Sequence, residues 1–115
     1  MGKMIEDEHY YNNRYTVENG IVDFERVYMV DESKFSNETY EALENVYESL
    51  PCYLGKKTNF PSWFGDEEKG DTHFITVSFE PSGLQFWGKL SISDFLKWQN
   101  KFHELIANFP FKYEY

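Results

Sequence analysis

The chain has almost no cysteine and no long apolar run. Cys52 is the single cysteine, so a disulfide within the chain is impossible and a zinc site built on several cysteines is excluded. No apolar stretch approaches the ~20 residues that a membrane-spanning helix needs, and the first residues lack the apolar core of a secretion signal. These absences predict a cytoplasmic protein in which Cys52 is a small buried hydrophobe.

Basic residues are also scarce. Eleven Lys and Arg stand against 20 Asp and Glu, which gives a net charge of −9. The imbalance lies in residues 1–50, which carry twelve acids and four bases, whereas residues 51–115 carry eight acids and seven bases. The electric field of this negative charge repels nucleic acids and anionic membranes and attracts basic proteins. We therefore expect a basic protein partner, no nucleic acid and no membrane, with simple solubility as the alternative explanation of the charge.

Motifs for catalysis and for bound cofactors are missing as well. A calcium loop that began at Asp66 would need a ligand at its fifth position and glycine at its sixth, where the chain has Gly70 and Asp71. No glycine-rich phosphate loop and no local nucleophile–base motif is present. The histidines are far apart, at His9, His73 and His103. The sequence predicts a protein that is not an enzyme and that binds no metal and no cofactor.

Aromatic residues, in contrast, are abundant. They make up 20% of the 115 residues, far more than a disordered acidic tail would contain. The length is that of one domain. We expect a single domain over residues 1–115, in which residues 1–13 are a candidate flexible arm.

The first half of the chain predicts a hairpin followed by a helix. Residues 14–18 and 21–30 have the composition of strands, and Asn19-Gly20 between them is a strong hairpin signal. Ser36 is a candidate N-cap for a helix that runs to about Leu50 and is stopped by the following proline.

The second half repeats this order after a loop over residues 55–71. Residues 72–80 and 84–90 alternate apolar and polar side chains around a turn, and Ser93 is a candidate N-cap for a helix that ends at Pro110. The expected fold class is α+β: an antiparallel sheet of two β-hairpins with two amphipathic helices on one face, in the order ββα-loop-ββα, forming a two-layer sandwich. The repeated order is compatible with an internal duplication or with coincidence.

The first predicted helix separates apolar from acidic side chains. At about 100° per residue, its apolar stripe holds Tyr40, Leu43, Val46, Tyr47 and Leu50. The opposite stripe holds Glu38, Glu41, Glu44 and Glu48, with no Lys or Arg. Like charges at this spacing disfavour a helix, whereas the back of the second predicted helix mixes both signs. We interpret the acidic stripe as a contact surface for a basic partner, and the alternative is a solvated helix face.

The sheet predicts a second surface, on the side away from the helices. If the apolar residues of each strand face the helices, then Asp23 and Glu25 point outward, together with Phe74 and Trp87. Large aromatic side chains anchor protein interfaces, and opposite charge steers the encounter of two proteins. We therefore expect a binding face here, and the alternative is that the 55–71 loop or the N-terminal arm covers it.

The long loop contains a third candidate. Trp63 and Phe64 are interpreted as an aromatic anchor, and Asp66, Glu67 and Glu68 as the charged tip of a loop that faces the partner. A loop of about 17 residues exceeds the usual length of four to six, and long loops are often functional. The alternative is that Trp63 or Phe64 folds back as a lid on the core.

The segments WFGDEEKGD, FITVSFEPSGLQFWGKL and DFLKW resemble segments of small bacterial immunity proteins. The resemblance covers residues 63 to about 98 and transfers no binding residue. It implies a compact cytoplasmic protein that binds and neutralises a cognate secreted toxin, commonly a nuclease delivered between competing cells. A nuclease binds a polyanion in a basic cleft, so an acidic protein is its natural complement.

Two other functions share the same charge argument. One is a DNA-mimic inhibitor of a nucleic-acid-binding protein, which needs carboxylates spread over an extended surface, whereas here the acids concentrate in the first half. The other is an adaptor domain that binds a partner without inhibiting it. A toxin gene directly upstream would favour the immunity function.

Overall fold

The computed structural model describes residues 9–112, apart from the Lys56 side chain, and confirms an α+β chain with an antiparallel sheet. The strands are Tyr10–Glu18 (β1), Ile21–Tyr28 (β2), Ser62–Trp63 (β3), Phe74–Glu80 (β4) and Gly83–Ser91 (β5). The helices are Asn37–Ser49 (α1) and Ile92–Leu105 (α2). The strands lie in the spatial order β1-β2-β5-β4-β3. Two predicted hairpins give four strands, and the fifth is β3, which the 55–71 loop contributes by pairing with β4.

The first hairpin forms where the sequence predicts it. Asn19 and Gly20 have φ angles of 52° and 75°, the geometry that a tight two-residue hairpin turn requires. The strand before the turn begins at Tyr10, so residues 10–13 belong to β1 rather than to a flexible arm, while residues 1–8 lie outside the described part of the chain. The strand after the turn ends at Tyr28.

The second hairpin joins β4 and β5 and places β5 at the centre of the sheet. β5 pairs with β2 on one side and with β4 on the other. Gly83 lies at the start of β5 with a φ of 137°, and a Cβ atom there would stand 2.1 Å from the Tyr28 carbonyl oxygen. Glycine is therefore required at this crowded junction of β2 and β5.

The two helices begin at serine caps. The Ser36 hydroxyl accepts a hydrogen bond from the Thr39 amide, and Thr39 Oγ1 accepts one from the Ser36 amide, so α1 starts with the predicted cap. The cap of α2 is Ser91, two residues before the predicted Ser93, because the last residue of β5 already turns into the helix. The helix ends at Leu105 instead of Pro110.

The core lies between the sheet and the two helices, with Phe86 of β5 at its centre. The Phe86 ring centroid lies 6.5 Å from Tyr47 of α1 and 5.1 Å from Trp98 of α2, so both helices pack on the same face of β5. The predicted α1 stripe is buried except at Tyr40, which is exposed and donates a hydrogen bond to Glu32. Cys52 is also exposed, which corrects the expectation of a buried thiol.

Candidate functional site

A groove with aromatic and acidic side chains runs along the sheet face that the helices leave free. On β2 and β5 the cross-strand pair Glu25 and Trp87 points outward, because the neighbouring residues Phe24 and Phe86 point into the core. Glu25, Phe60, Ser78, Glu80, Gln85 and Trp87 line this groove, which we call the outer groove. A second depression beside it shares Phe60 and Trp87 and adds Glu67 and Glu68. The structure thus brings Glu25, Glu67, Glu68 and Trp87 together from distant parts of the sequence.

The loop that supplies Glu67 and Glu68 is held against the sheet by defined hydrogen bonds. Asp66 caps a single turn of 3₁₀ helix over Glu67–Lys69, since its side chain accepts from the Glu68 amide at 3.0 Å. The Asp71 carboxylate accepts from the Asp66 amide at 2.7 Å. At the tip of the turn, the Trp87 indole N–H donates to Glu67 Oε1 at 3.0 Å. These bonds place the Glu67 carboxylate beside the Trp87 ring.

Phe60 completes the groove, and sequence reasoning missed it. Its ring lies 6.4 Å from that of Trp87 in an edge-on arrangement, and 47% of the residue is exposed. The sequence signal for Phe60 was its position just before Pro61 in a long loop, because proline restricts the backbone and so the path of the loop at that point.

The predicted acids of β2 are partly neutralised within the sheet. Arg14 of β1 forms an ion pair with Asp23 at 2.9 Å and approaches Glu25 at 4.0 Å. Glu25 also accepts a hydrogen bond from Asn13. Of these two acids, only Glu25 lines the outer groove, whereas Asp23 faces a separate depression near the first hairpin turn.

The predicted aromatic anchor Trp63-Phe64 belongs to the core. Trp63 is fully buried, packs against Tyr47 and Trp98, and donates its indole N–H to the Tyr47 carbonyl oxygen at 3.1 Å. Phe64 is half-buried against the same core, at a φ of 72°. The prediction of a partner-facing anchor is therefore wrong, because β3 pairs with β4 and turns the Trp63 side chain toward the helices.

Asp66 and Phe74 also differ from the predicted exposed positions. Asp66 is buried because its carboxylate serves as the cap of the 3₁₀ turn. Phe74 lies outside the helix-facing core cluster, but only 8% of it is exposed, so it offers little area to a partner. Both residues are buried, so neither offers a partner much area.

The acidic stripe of α1 forms a separate surface on the helix side of the molecule. Glu38, Glu41, Glu44 and Glu48 are all exposed. No ion pair within residues 9–112 involves them. The pKa of nearby Tyr53 is raised first by partial burial and then by the charges of Glu44 and Glu48. The stripe therefore creates a negative potential, and at its N-terminal end Glu38 borders an apolar depression lined by Ala42, Leu105 and Phe109.

A buried polar cluster lies between α2 and the first hairpin, and the sequence interpretation did not include it. Arg26 is only 4% exposed and donates to Asn12 at 2.7 Å, Tyr28 at 3.0 Å and Gln99 at 2.6 Å. The Tyr28 hydroxyl lies 2.6 Å from His103 Nε2. Burial, and then the charge of Arg26, lowers the pKa of His103 to about 4, so the ring in this hydrogen bond is neutral at pH 7. The cluster satisfies its own polar groups and leaves no open site.

Other kinds of site find little support in the described part of the chain. Among residues 9–112, no group of three or more His, Cys, Asp and Glu side chains is placed to hold a metal ion. The helices described here are too short or too polar to cross a bilayer. No protein-family model, no curated protein and no solved structure matches this chain. Function is therefore inferred from the chemistry of the surfaces themselves.

Proposed function

We propose that this chain is an immunity protein that binds and neutralises a cognate toxin, a nuclease with a basic active cleft. The observation that carries the proposal is the outer groove together with the depression beside it, where Phe60 and Trp87 lie among the carboxylates of Glu25, Glu67 and Glu80. The main core lies on the other face of the sheet, so these side chains are not needed to fill it. A surface with aromatic anchors and one sign of charge suits a protein partner of the opposite charge.

The outer groove is favoured over the α1 stripe as the contact surface. A standard interface covers about 800 Å² on each partner, so one contact of that size covers one of the two surfaces. The groove pairs two aromatic rings, Phe60 and Trp87, whereas α1 exposes the ring of Tyr40 alone, and aromatic residues dominate the binding energy of most interfaces. The α1 carboxylates then contribute to the long-range field, which accelerates the encounter with a basic protein.

The direct experiment uses the toxin domain encoded beside this chain's gene. The purified chain should inhibit its nuclease activity at a one-to-one ratio, and co-expression should restore the growth of cells that produce the toxin. A double variant, Phe60→Ala with Trp87→Ala, should weaken binding by roughly 30-fold or more, the loss expected for two interface anchors. Tyr40→Ala is the matched control, because Tyr40 is an aromatic residue of similar exposure on the helix side.

Three outcomes separate the alternatives. Failure to inhibit any neighbouring toxin, at concentrations where binding is complete, makes the chain an adaptor and ends the proposal. Equal effects of Tyr40→Ala and the double variant place the contact elsewhere. If reversal of Glu41, Glu44 and Glu48 to Lys abolishes binding while the groove variants do not, the row of exposed carboxylates on α1 acts as a DNA mimic.

A further inference from the structure

The two edges of the sheet are unequal. The β3 edge has two residues, both buried. The β1 edge has nine residues, and all of them except Tyr10 are exposed. Within residues 9–112, β1 pairs only with β2, so one row of its backbone N–H and C=O groups has no strand beside it. Long free edges of this kind are templates for pairing with another strand.

We propose that two copies of this chain associate through β1, as an antiparallel pair centred on Thr16. This inference does not rest on the proposed function, since it uses a different edge of the molecule and a different partner.

The hairpin turn determines which backbone groups of β1 are free. A tight two-residue turn is closed by hydrogen bonding between Glu18 and Ile21, and bonded pairs alternate with unbonded pairs along an antiparallel ladder. Thr16 therefore bonds to β2, whereas Tyr15 and Val17 direct their N–H and C=O groups toward the free edge. Two copies centred on Thr16 place Tyr15 opposite Val17 of the second copy, so these free groups meet as bonded pairs.

The usable length of the edge matches this pairing at both ends. The register of β1 against β2 shifts between Asn12 and Arg14, which marks a bulge at Asn13, and the turn starts at Asn19. Bulges end regular pairing on a strand edge. The regular segment is therefore Arg14–Glu18, and an antiparallel pair centred on Thr16 uses all five of its residues.

The side chains of Arg14–Glu18 form favourable pairs with those of the same segment in a second copy. Arg14 lies opposite Glu18 of the second copy, twice in the pair, and Thr16 lies opposite its own counterpart. Opposite charges, paired threonines and aromatic residues facing β-branched ones are favourable cross-strand combinations. Within residues 9–112, Glu18 forms no other ion pair, and the Arg14 side chain is 48% exposed although it already contacts Asp23.

An apolar strip flanks the same edge on the helix side. Tyr15 and Val17 point to that side, because they pair with Phe24 and Val22 of the core, and they are 42% and 47% exposed. On α2, Ile92 and Leu96 are 37% and 42% exposed. These two lie on the same helical stripe as Gln99, which reaches Arg26 of β2, so the stripe faces the first hairpin. Pairing of two copies brings the apolar strip of one copy beside that of the other and covers apolar surface that each copy alone exposes to water.

The first test is the mass of the full chain in solution at about 0.15 M salt, where repulsion between two chains of charge −9 is screened beyond about 8 Å. Light scattering after size exclusion should show the mass rising from 13.8 kDa toward twice that value as concentration increases from micromolar to millimolar. Val17→Pro should keep the chain monomeric, because it removes an N–H that the single copy does not use. Val17→Thr is the control, since it keeps both the N–H and the branched side chain.

A charge exchange tests the register without altering the backbone. Glu18→Arg alone and Arg14→Glu alone should each weaken self-association roughly tenfold, because each places like charges opposite one another twice. An equal mixture of the two single variants should associate again as a mixed dimer, since every pair then joins opposite charges. A mass of 13.8 kDa at every concentration overturns the proposal, and so does association that neither Val17→Pro nor the charge changes weaken.

Discussion

The two faces of the sheet are built from the same strands, yet their side chains serve different purposes. On β5, Phe86 and Leu90 point toward the helices and are buried. The alternate residues Trp87 and Lys89 point outward and keep contact with solvent. Because successive residues of a strand face opposite sides, each strand contributes equally to both faces. The inner face carries the packing that defines the fold, whereas the outer face is free to be selected for another role.

The loop between α1 and β4 illustrates the same division within a few residues. The Trp63 side chain points from edge strand β3 into the core, while Phe60 and Glu67 lie on the outer face. The loop therefore attaches to both faces: it supplies a core tryptophan to one and a wall of the outer groove to the other. Its length, its aromatic pair and its acidic run predicted a partner-facing loop, but of these side chains only Glu67 and Glu68 are exposed, and they lie with Phe60 on the outer face.

The contrast between the faces predicts unequal effects of two tryptophan substitutions. Trp63→Ala should lower the free energy of unfolding by about 3–5 kcal/mol, because it leaves a cavity among Tyr47, Phe86 and Trp98. Trp87→Ala should cost roughly 1 kcal/mol, since it removes one hydrogen bond to Glu67 and a half-buried ring. Urea denaturation of both variants measures the two values.

Equal losses would remove the distinction between the faces. If Trp87→Ala destabilises the chain as much as Trp63→Ala, then the outer groove is part of the folding core and its aromatic residues need no partner to explain them. Trp87→Phe provides a finer comparison, because it keeps an aromatic ring but cannot donate to Glu67.

Local signals were sufficient for most of the fold. The Asn19-Gly20 turn and the Ser36 cap were predictable because each depends on residues within one turn of the chain. β3 was not predictable in this way. Two residues carry no periodic pattern, and the burial of Trp63 follows from pairing with Ile75, twelve residues away.

The candidate site could be predicted only in part for the same reason. Glu25 and Trp87 were placed outward by strand alternation, which is local. Asp66 was misassigned because its role depends on the turn that it caps. Arg26 shows the limit of reasoning from residue type: alternation along β2 places it inward, but a buried arginine is unexpected until its partners Asn12 and Gln99 are known.

The buried polar cluster of the inner face predicts a second, smaller effect, on the pH dependence of stability. The pKa of His103 is lowered from an ordinary 6.5 to about 4 in the folded chain. Its contribution to stability is therefore complete above pH 6.5 and is lost as the pH falls toward 4, because the unfolded chain binds the proton first. We expect a loss on the order of 1–2 kcal/mol over this range, after allowing for partial solvent exposure.

Two variants isolate that contribution. His103→Gln should flatten the fall in stability between pH 6.5 and 4 relative to the parent chain. His73→Gln is the matched control, because His73 is exposed and lies outside the cluster. Carboxylates also titrate in this range, so the quantity to compare is the difference between each variant and the parent at the same pH. A parallel fall in His103→Gln and the parent would show that the ring does not stay neutral in the cluster.

The smallest expected effect concerns the α1 stripe, which lies on the solvent side of the helix layer and takes no part in either face of the sheet. Its four glutamates repel one another at three- and four-residue spacings, and the last turn of α1 contains no basic residue. Glu48→Lys should therefore raise the free energy of unfolding by a few tenths of a kcal/mol, because a cation near the C-terminus of a helix interacts favourably with the negative end of the helix dipole. Glu38→Lys should lower it by a similar amount, since Glu38 is in the first turn, where a negative charge is favourable.

Thermal unfolding of both variants at low and high salt tests whether these effects are electrostatic, because both stability differences should shrink as salt screens the charges. Effects of the same sign at both positions, or differences that salt does not reduce, would mean that these side chains make specific contacts and are not simply a solvated acidic surface available for attracting a basic partner.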